Sequence, residues 1–417
     1  MAAQFDQLEA RDPAARERDL FSRLPAFLKT ATAAAPGLGR WLAGCDLGAV
    51  TDRAALAKLP VLRKAELMDF QRADPPFGGF ANAATLKGSH IYLSPGPIWE
   101  PEATGSQAED SARAFRAIGI RPGDIVHNAF SYHMTPGGFF LDKGARTLGC
   151  TVFPAGTGNT DMQVDAAEAL KPVVFCGTPD FLKVMLDRAK EVGKDLSSFR
   201  LGLVSGGALF PSLRAEYAER GVKVFQCYAT AEFGVISYES AGADGVPTPG
   251  MIVNENLIIE IVRPGTGDPV PDGDVGEVVL TGFNPAYPLV RLGTGDLSAI
   301  LPGTSPCGRT NLRIKGWMGR ADQRTKVKGM FVDPKQIAEV VKRHPEIGKA
   351  RLVVSRDGER DQMVLHVEPA NGSALDGQAV EASLRDVTKL GGAVTLAAAG
   401  TLPNDGKVIA DERDYSR

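Results

Sequence analysis

The sequence predicts an α/β fold: a large N-terminal α/β domain carrying an antiparallel β subdomain, followed by a small C-terminal α+β domain. Three observations lead there. From about residue 115, short apolar runs (DIVHNAF, CTVFPA, PVVFCGT, LGLVSGG, KVFQCYA) alternate with amphipathic stretches such as PDFLKVMLDRAKEVG, as expected of a parallel sheet covered on both faces. Past residue 240 the helical periodicity stops, and LIIEIVRPGTGDPVPDGDVGEVVLTGF reads strand, turn, strand. Beyond Gly319 a basic, turn-rich crossing leads to the helix PKQIAEVVKRH, the strand pair RLVVSRDGERDQMVLHVEP, a further helix and AVTLAAAG, together about 95 residues, an ordinary domain size.

The domains are therefore expected at 1–319, with a helical start over 1–90 and the β subdomain at about 245–315, and at 320–417. Residues 5–45 read helical, since Phe5, Leu8, Leu20, Phe21, Leu24, Phe27 and Leu28 recur mainly three or four apart between charges. The chain has 417 residues, 47 Lys plus Arg against 50 Asp plus Glu, and a formal net charge of −3. Such a balance offers no general field for nucleic acid or an anionic membrane, and neither is expected as a partner. Gly (47) and Pro (28) stay below the roughly 25–30 % share of low-complexity chains. The N-terminus is charged from the start, no run of about 18 apolar residues occurs, and a cytoplasmic location is expected. Five widely spaced cysteines without a CxxC pair argue against a disulfide framework and a local zinc site, and Cys150, Cys176 and Cys227 read as small buried hydrophobes.

Three turns could carry chemistry. SGGALF (205–210) is a glycine-rich turn after a strand, QCYATAEFG gathers Tyr228, Thr230 and Glu232 at a strand end, and RLGTGDLSAI places Asp296 after a small-residue bend. In open α/β sheets ligands sit at the carboxyl ends of strands. A carboxylate such as Asp296 can accept two hydrogen bonds from a vicinal diol.

Read together, YATAE, TGD, GRADQRTKVKG and LPNDGK resemble the adenylate-forming superfamily of acyl-CoA synthetases, adenylation domains and luciferases. LPVLRKAELMD (59–69), PPFGGF (75–80), GCTVFPAGTGNTDMQ (149–163) and GTPDFL (177–182) are similar to its phenylacetate-CoA ligase branch, so the resemblance spans about residues 55–417. It implies AMP-forming ligation of a carboxylic acid, of aryl, phenylacetate-like type, to coenzyme A through an acyl-adenylate made from ATP with Mg2+. It also implies that the small domain moves between the two half-reactions.

By the same resemblance Lys407 and Glu232 are catalytic, with Glu232 the magnesium residue. Gly206, Gly207, Ala208, Tyr228, Thr230, Asp296 and Arg320 bind the nucleotide, and Asp322 is the hinge. Lys328 and Gly329 serve coenzyme A, while Tyr132, His133, Gly138 and Phe139 line the acid pocket. Ala231 stands where the family usually has Ser or Thr. Some relatives hold zinc near the β subdomain; here Cys307 is isolated, and no structural zinc is expected.

The largest departure is LSPGPIWEP (93–101), in the place of a Ser/Thr- and Gly-rich phosphate loop that often carries a lysine. Proline removes a donor, and Glu100 as an anion would repel pyrophosphate. Two alternatives follow: an adenylating enzyme serving a carrier protein, and a non-catalytic nucleotide or acyl-CoA binding homologue. The oligomeric state is left open, a homodimer being one option.

Overall fold

The five apolar runs become Ile125–Asn128, Thr151–Phe153, Val174–Gly177, Leu201–Val204 and Lys223–Thr230, the parallel part of a nine-stranded sheet in a computed structural model. The model describes residues 3–94, 96–102, 107–207, 209–321, 323, 325–327, 330–357, 360–370 and 373–413. Two compact units emerge, one of Met1–Ile259, Leu280–Leu292 and Ile300–Trp317, the other of Glu260–Val279, Gly293–Ala299 and Met318–Arg417. In the first, Gly234–Tyr238, Met251–Val253, Arg313–Ile314 and Ile300–Leu301 continue the sheet by antiparallel pairing. Part of the β region expected as a subdomain is thus an extension of the main sheet. Leu62–Arg63, Leu292–Ser298, Gly276–Gly282 and Leu257–Val262 follow one another, in that order, in a separate four-stranded sheet.

Alternate residues of the parallel strands feed two different cores, because side chains of a strand point to opposite faces. Val126, Cys176, Leu203 and Phe225 pack with Phe115 and Leu141, from the helices Gln107–Ala117 and Gly137–Thr147. Phe175, Val204 and Val224 pack with Val164, Leu182 and Tyr217, from Thr160–Leu170, Pro179–Val192 and Pro211–Glu219. Cys150, Cys176 and Cys227 are buried, and burial pushes the Cys150 thiol up to about 11 and that of Cys227 to about 12. These thiols are packing groups.

The N-terminal helix Pro13–Ala34 starts where Asp12 accepts a hydrogen bond from the Ala15 N–H (2.8 Å), with Pro13 in the first turn. Its entry is fastened by buried charges. Glu9 accepts from Arg309 and from the Tyr238 hydroxyl (2.9 Å), while Arg16 donates to Glu255 (2.8 Å) and to Thr310 (3.0 Å).

In the second unit the helices Pro334–Arg343 and Gly377–Thr388 pack on a sheet of Ala393–Leu396, Arg360–Pro369, Ile347–Asp357 and Ile409–Asp411. The last strand, which sequence patterning does not reveal, pairs parallel with Ile347–Asp357 through Leu352↔Ile409. The turn before it is organised by Glu368, which accepts backbone N–H groups from Gly400 (3.0 Å) and Leu402 (2.5 Å). Burial alone would raise this carboxyl; those donors, with Lys349 near, outweigh it and hold the group below its usual range.

Two outcomes follow. A Cβ at Gly144 would lie 2.2 Å from Ser111 Cβ, so Gly144→Ala must force the two helices apart, destabilising by about 1–3 kcal/mol in denaturant titration with the fold retained. Glu368→Gln should lower stability near neutral pH by about 1.5–3 kcal/mol, the range for hydrogen bonds to a charged group. Because the folded carboxyl ionises more readily than the unfolded one, that advantage is complete above about pH 4.3 and fades as pH falls through the folded value. Wild-type and variant melting curves should therefore converge in acid; a gap independent of pH would refute the assignment.

Candidate active site

In the first unit the strand Lys223–Thr230 and its partner Gly234–Tyr238 are joined by a tight turn through Thr230↔Gly234, with a register shift between Tyr228 and Ala229. This local geometry brings Tyr228, Thr230 and Glu232 to one strand end, as their sequence spacing suggests. Tyr228 is buried, and the Thr230 hydroxyl is buried without a hydrogen-bond partner among the described residues. Gly206 and Gly207 follow the neighbouring strand, and Gly206 adopts φ +72°, a left-handed conformation natural to glycine. Ala208 lies outside the described residues.

Glu232 is 4 % exposed. Lys64 Nζ lies 2.8 Å from its Oε1, an ion pair whose angles do not make a hydrogen bond, and Oε2 has no hydrogen-bond partner among the described residues. A carboxylate oxygen left in this way is suited to a cation. Among the described residues no group of three or more His, Cys, Asp or Glu could hold a metal ion, so Glu232 would be a single protein ligand to an ion held mainly by phosphate and water.

The segment 93–101 is largely a hairpin: Ile91–Ser94 pairs antiparallel with Ile98–Pro101, Tyr92 opposite Glu100 and Ser94 opposite Ile98. Pro95 lies outside the described residues. Glu100, expected as an anion facing pyrophosphate, is 1 % exposed and accepts from Ser94 Oγ (2.5 Å). Burial first, and the charge of Glu232 second, push its carboxyl well above the usual range. The hairpin is fixed by Gln71, whose side chain accepts from Trp99 N (2.8 Å) and donates to Trp99 O (2.8 Å) and to Tyr287 Oη (3.3 Å).

The expected pocket residues partly converge. Asn128 donates to Tyr132 Oη (2.7 Å) and to Gly138 O (2.9 Å), and Tyr132 donates to Asp142 (3.0 Å). A Cβ at Gly138 would lie 2.6 Å from Ser131 O, so glycine is required there. Phe139 packs against Tyr132, Tyr92 and His90, with ring centroids 5.3, 5.4 and 4.9 Å away. His133, by contrast, is exposed, and its ring has no partner among the described residues. The imidazole of the cluster belongs to His90, which also contacts Glu102 (2.9 Å). Its only sequence signal was a histidine beside the strand IYLS. Phe139, Tyr92, Glu102, Lys143 and Ala231 line a cavity of about 20 Å³.

In the second unit Asp296 and Arg320 form a β-bridge and an ion pair, Nη1 to Oδ1 2.9 Å, with Ala321 N bonded to Gly295 O (2.8 Å). Two residues assigned separately to the nucleotide are thus a pair, and the arginine, more than half exposed, orients the carboxylate. Gly406 has φ +71°, and a Cβ there would lie 2.6 Å from Val275 Cγ1 and 3.2 Å from Leu297 Cδ1, so the turn before Lys407 needs glycine. Gln323 clasps it by donating to Gly406 O (2.8 Å) and accepting from Ile409 N (2.7 Å). Lys407 itself is exposed and forms no ion pair among the described residues; its N–H donates to Asp405 (3.0 Å), which Arg351 holds at 2.6 Å. Asp322, Lys328 and Gly329 lie outside the described residues. Arg313, which reads as part of a basic stretch, is buried and bonded to the carbonyls of Pro249, Pro302 and Gly303.

Residues 144–286 match the family model described as AMP-binding enzyme. The phenylacetate-coenzyme A ligase of Aromatoleum evansii is 31 % identical over 338 residues, 78 % of this chain and 73 % of that one. That of Pseudomonas putida is 31 % identical over 88 % of this chain and 84 % of its own. A crystal structure of 2-hydroxyisobutyryl-CoA ligase, in complex with its acyl-adenylate and coenzyme A, superimposes with a TM-score of 0.69 at 25 % identity, covering 98 % of this chain and 92 % of the other. These likenesses cover most of the chain, and they make it a member of the AMP-binding enzyme family, in its phenylacetate-CoA ligase branch, and an AMP-forming acid–thiol ligase.

Proposed function

We propose that the chain joins an aryl acid of the phenylacetate type to coenzyme A. The acid's carboxylate attacks the α-phosphorus of ATP, pyrophosphate leaves, and the coenzyme A thiol then displaces AMP from the acyl-adenylate. The first step gathers negative charge on phosphate oxygens, so preorganised positive charge aimed at them lowers its barrier. Lys407 supplies this as a compact ammonium on a long stem, bridging acid and α-phosphate. Asp296, oriented by Arg320, accepts the ribose hydroxyls, and Tyr228, Thr230 and the turn Gly206–Gly207–Ala208 hold the base and phosphate. Asp322 acts as the hinge, and Lys328 and Gly329 meet coenzyme A.

Glu232 would hold a magnesium ion, which neutralises phosphate charge when bound. The observation that carries the reading is its buried carboxylate with one oxygen unpartnered at a strand end beside an aromatic cluster. The name of the relatives supports the aryl acid, and so does the ring of Tyr92, Tyr132 and Phe139.

A second reading has its own observation. The cavity beside Phe139 and Ala231 is about 20 Å³, whereas one that admits benzene is on the order of 150 Å³. Such a space holds little more than one water, so Phe139 and the hairpin must move for any acid to enter, and least for a short one, such as the hydroxy acid named for the structural relative.

Acid-dependent exchange of pyrophosphate into ATP, run over phenylacetate, benzoate, acetate and 2-hydroxyisobutyrate, decides between the two. Phenylacetate should dominate; dominance of a short acid selects the second reading, and no exchange with any acid refutes both. Adding coenzyme A separates a ligase from an enzyme serving a carrier protein. Lys407→Ala should slow adenylation about 10²–10³-fold, as expected for loss of one preorganised electrostatic contact, while thioester formation from supplied acyl-adenylate survives. Equal loss in both steps would remove Lys407 from its step-specific role.

A further inference from the structure

The hairpin over 93–101 contains no lysine or arginine, and its single charged residue, Glu100, is buried and turned toward Glu232. An ATP-dependent chain therefore needs the cation for the outer phosphates from elsewhere. Lys64 is the first residue of the helix Lys64–Ala73, held in place by two neighbouring features. Leu62–Arg63 is a strand anchored by Leu62 N to Arg291 O (3.0 Å), and Arg63 N is capped by Glu66 (2.8 Å). From there the ammonium reaches Glu232, and it is the member of the pair with surface open to solvent, 31 % of its side chain against 0 % for Glu232. The same helix carries Gln71, which fixes the hairpin, so the cation and the loop that lacks one are set by a single rigid element.

Building on the adenylation reading, we propose that Lys64 is the cation that holds the β- and γ-phosphates of ATP in this chain, and that its ion pair with Glu232 is the resting arrangement from which it turns to the nucleotide. In that resting arrangement Lys64 balances the charge of Glu232. A cation brought with ATP would give Glu232 another partner, and Lys64 would then be free to turn toward phosphate oxygens that AMP does not possess.

The test rests on the difference between ATP and AMP, measured by calorimetric titration of wild type and Lys64→Met in magnesium buffer. Loss of one charge-assisted contact should weaken ATP binding by about ten- to hundredfold and leave AMP binding within about twofold. A variant whose preference for ATP over AMP matches wild type overturns the role of Lys64 while leaving the adenylation reading intact. A wild type that binds neither nucleotide overturns the adenylation reading, and this one with it. A second measurement needs no variant: acetylation of wild-type lysines with a soluble N-hydroxysuccinimide ester, read by mass spectrometry. ATP should protect Lys64 several-fold more than AMP does, and equal labelling in the two nucleotides refutes the proposal even if Lys64→Met does not fold.

Discussion

A carboxylate withdrawn from water must find positive charge or give up its own, and the first unit is arranged around that constraint at Glu232. The tight turn after Lys223–Thr230 buries it, and the strand Leu62–Arg63 and the helix that follows bring Lys64 to it. The second carboxyl of the same cluster, Glu100, is pushed toward its uncharged form by burial and by Glu232, and accepts a hydrogen bond from Ser94. Gln71, bonded to Trp99 and Tyr287, fastens the hairpin that carries Glu100.

The second unit meets a different requirement, that of presenting an exposed lysine on a chain segment rigid enough to aim it. Few apolar contacts are available to so short a turn, and backbone hydrogen bonds do the work instead. Glu368 collects two N–H groups ahead of it, Asp405 caps Lys407 itself, and Gln323 grips the segment on both sides. Gly406 then lets the turn lie against Val275 and Leu297 where any side chain would collide. The lysine is exposed at its tip and hydrogen-bonded at its root.

How much of this was legible in the sequence depended on range. Tyr228, Thr230 and Glu232 share one strand and turn, so spacing alone grouped them, and the alternation of apolar runs with amphipathic helices gave the parallel sheet with its strands in place. Family motifs supplied Asp296 and Arg320, but their pairing depends on a β-bridge between distant segments, which no local pattern encodes. The hairpin over 91–101 was hidden because its prolines and glycine read as a stiff phosphate loop, and its inward glutamate read as an anion facing pyrophosphate. Lys64 stood inside a recognised motif without a role, since only the fold brings it to Glu232. His133 was placed in the pocket by its neighbours in sequence, whereas the imidazole that packs on Phe139 is that of His90, just before the strand Ile91–Ser94, a contact between distant segments that no local pattern encodes.

The buried charges at the start of the chain have a practical meaning for anyone handling the protein. Glu9 satisfies Arg309, and Arg16 satisfies Glu255, inside the body of the first unit. Trimming the first sixteen residues would not simply remove a surface segment; it would take Glu9 from Arg309 and both Arg11 and Arg16 from Glu255, an arginine and a glutamate that are each close to fully buried. Fragments meant to isolate the nucleotide-binding sheet therefore have to keep their N-terminal segment, although it lies far in sequence from every residue that touches the chemistry.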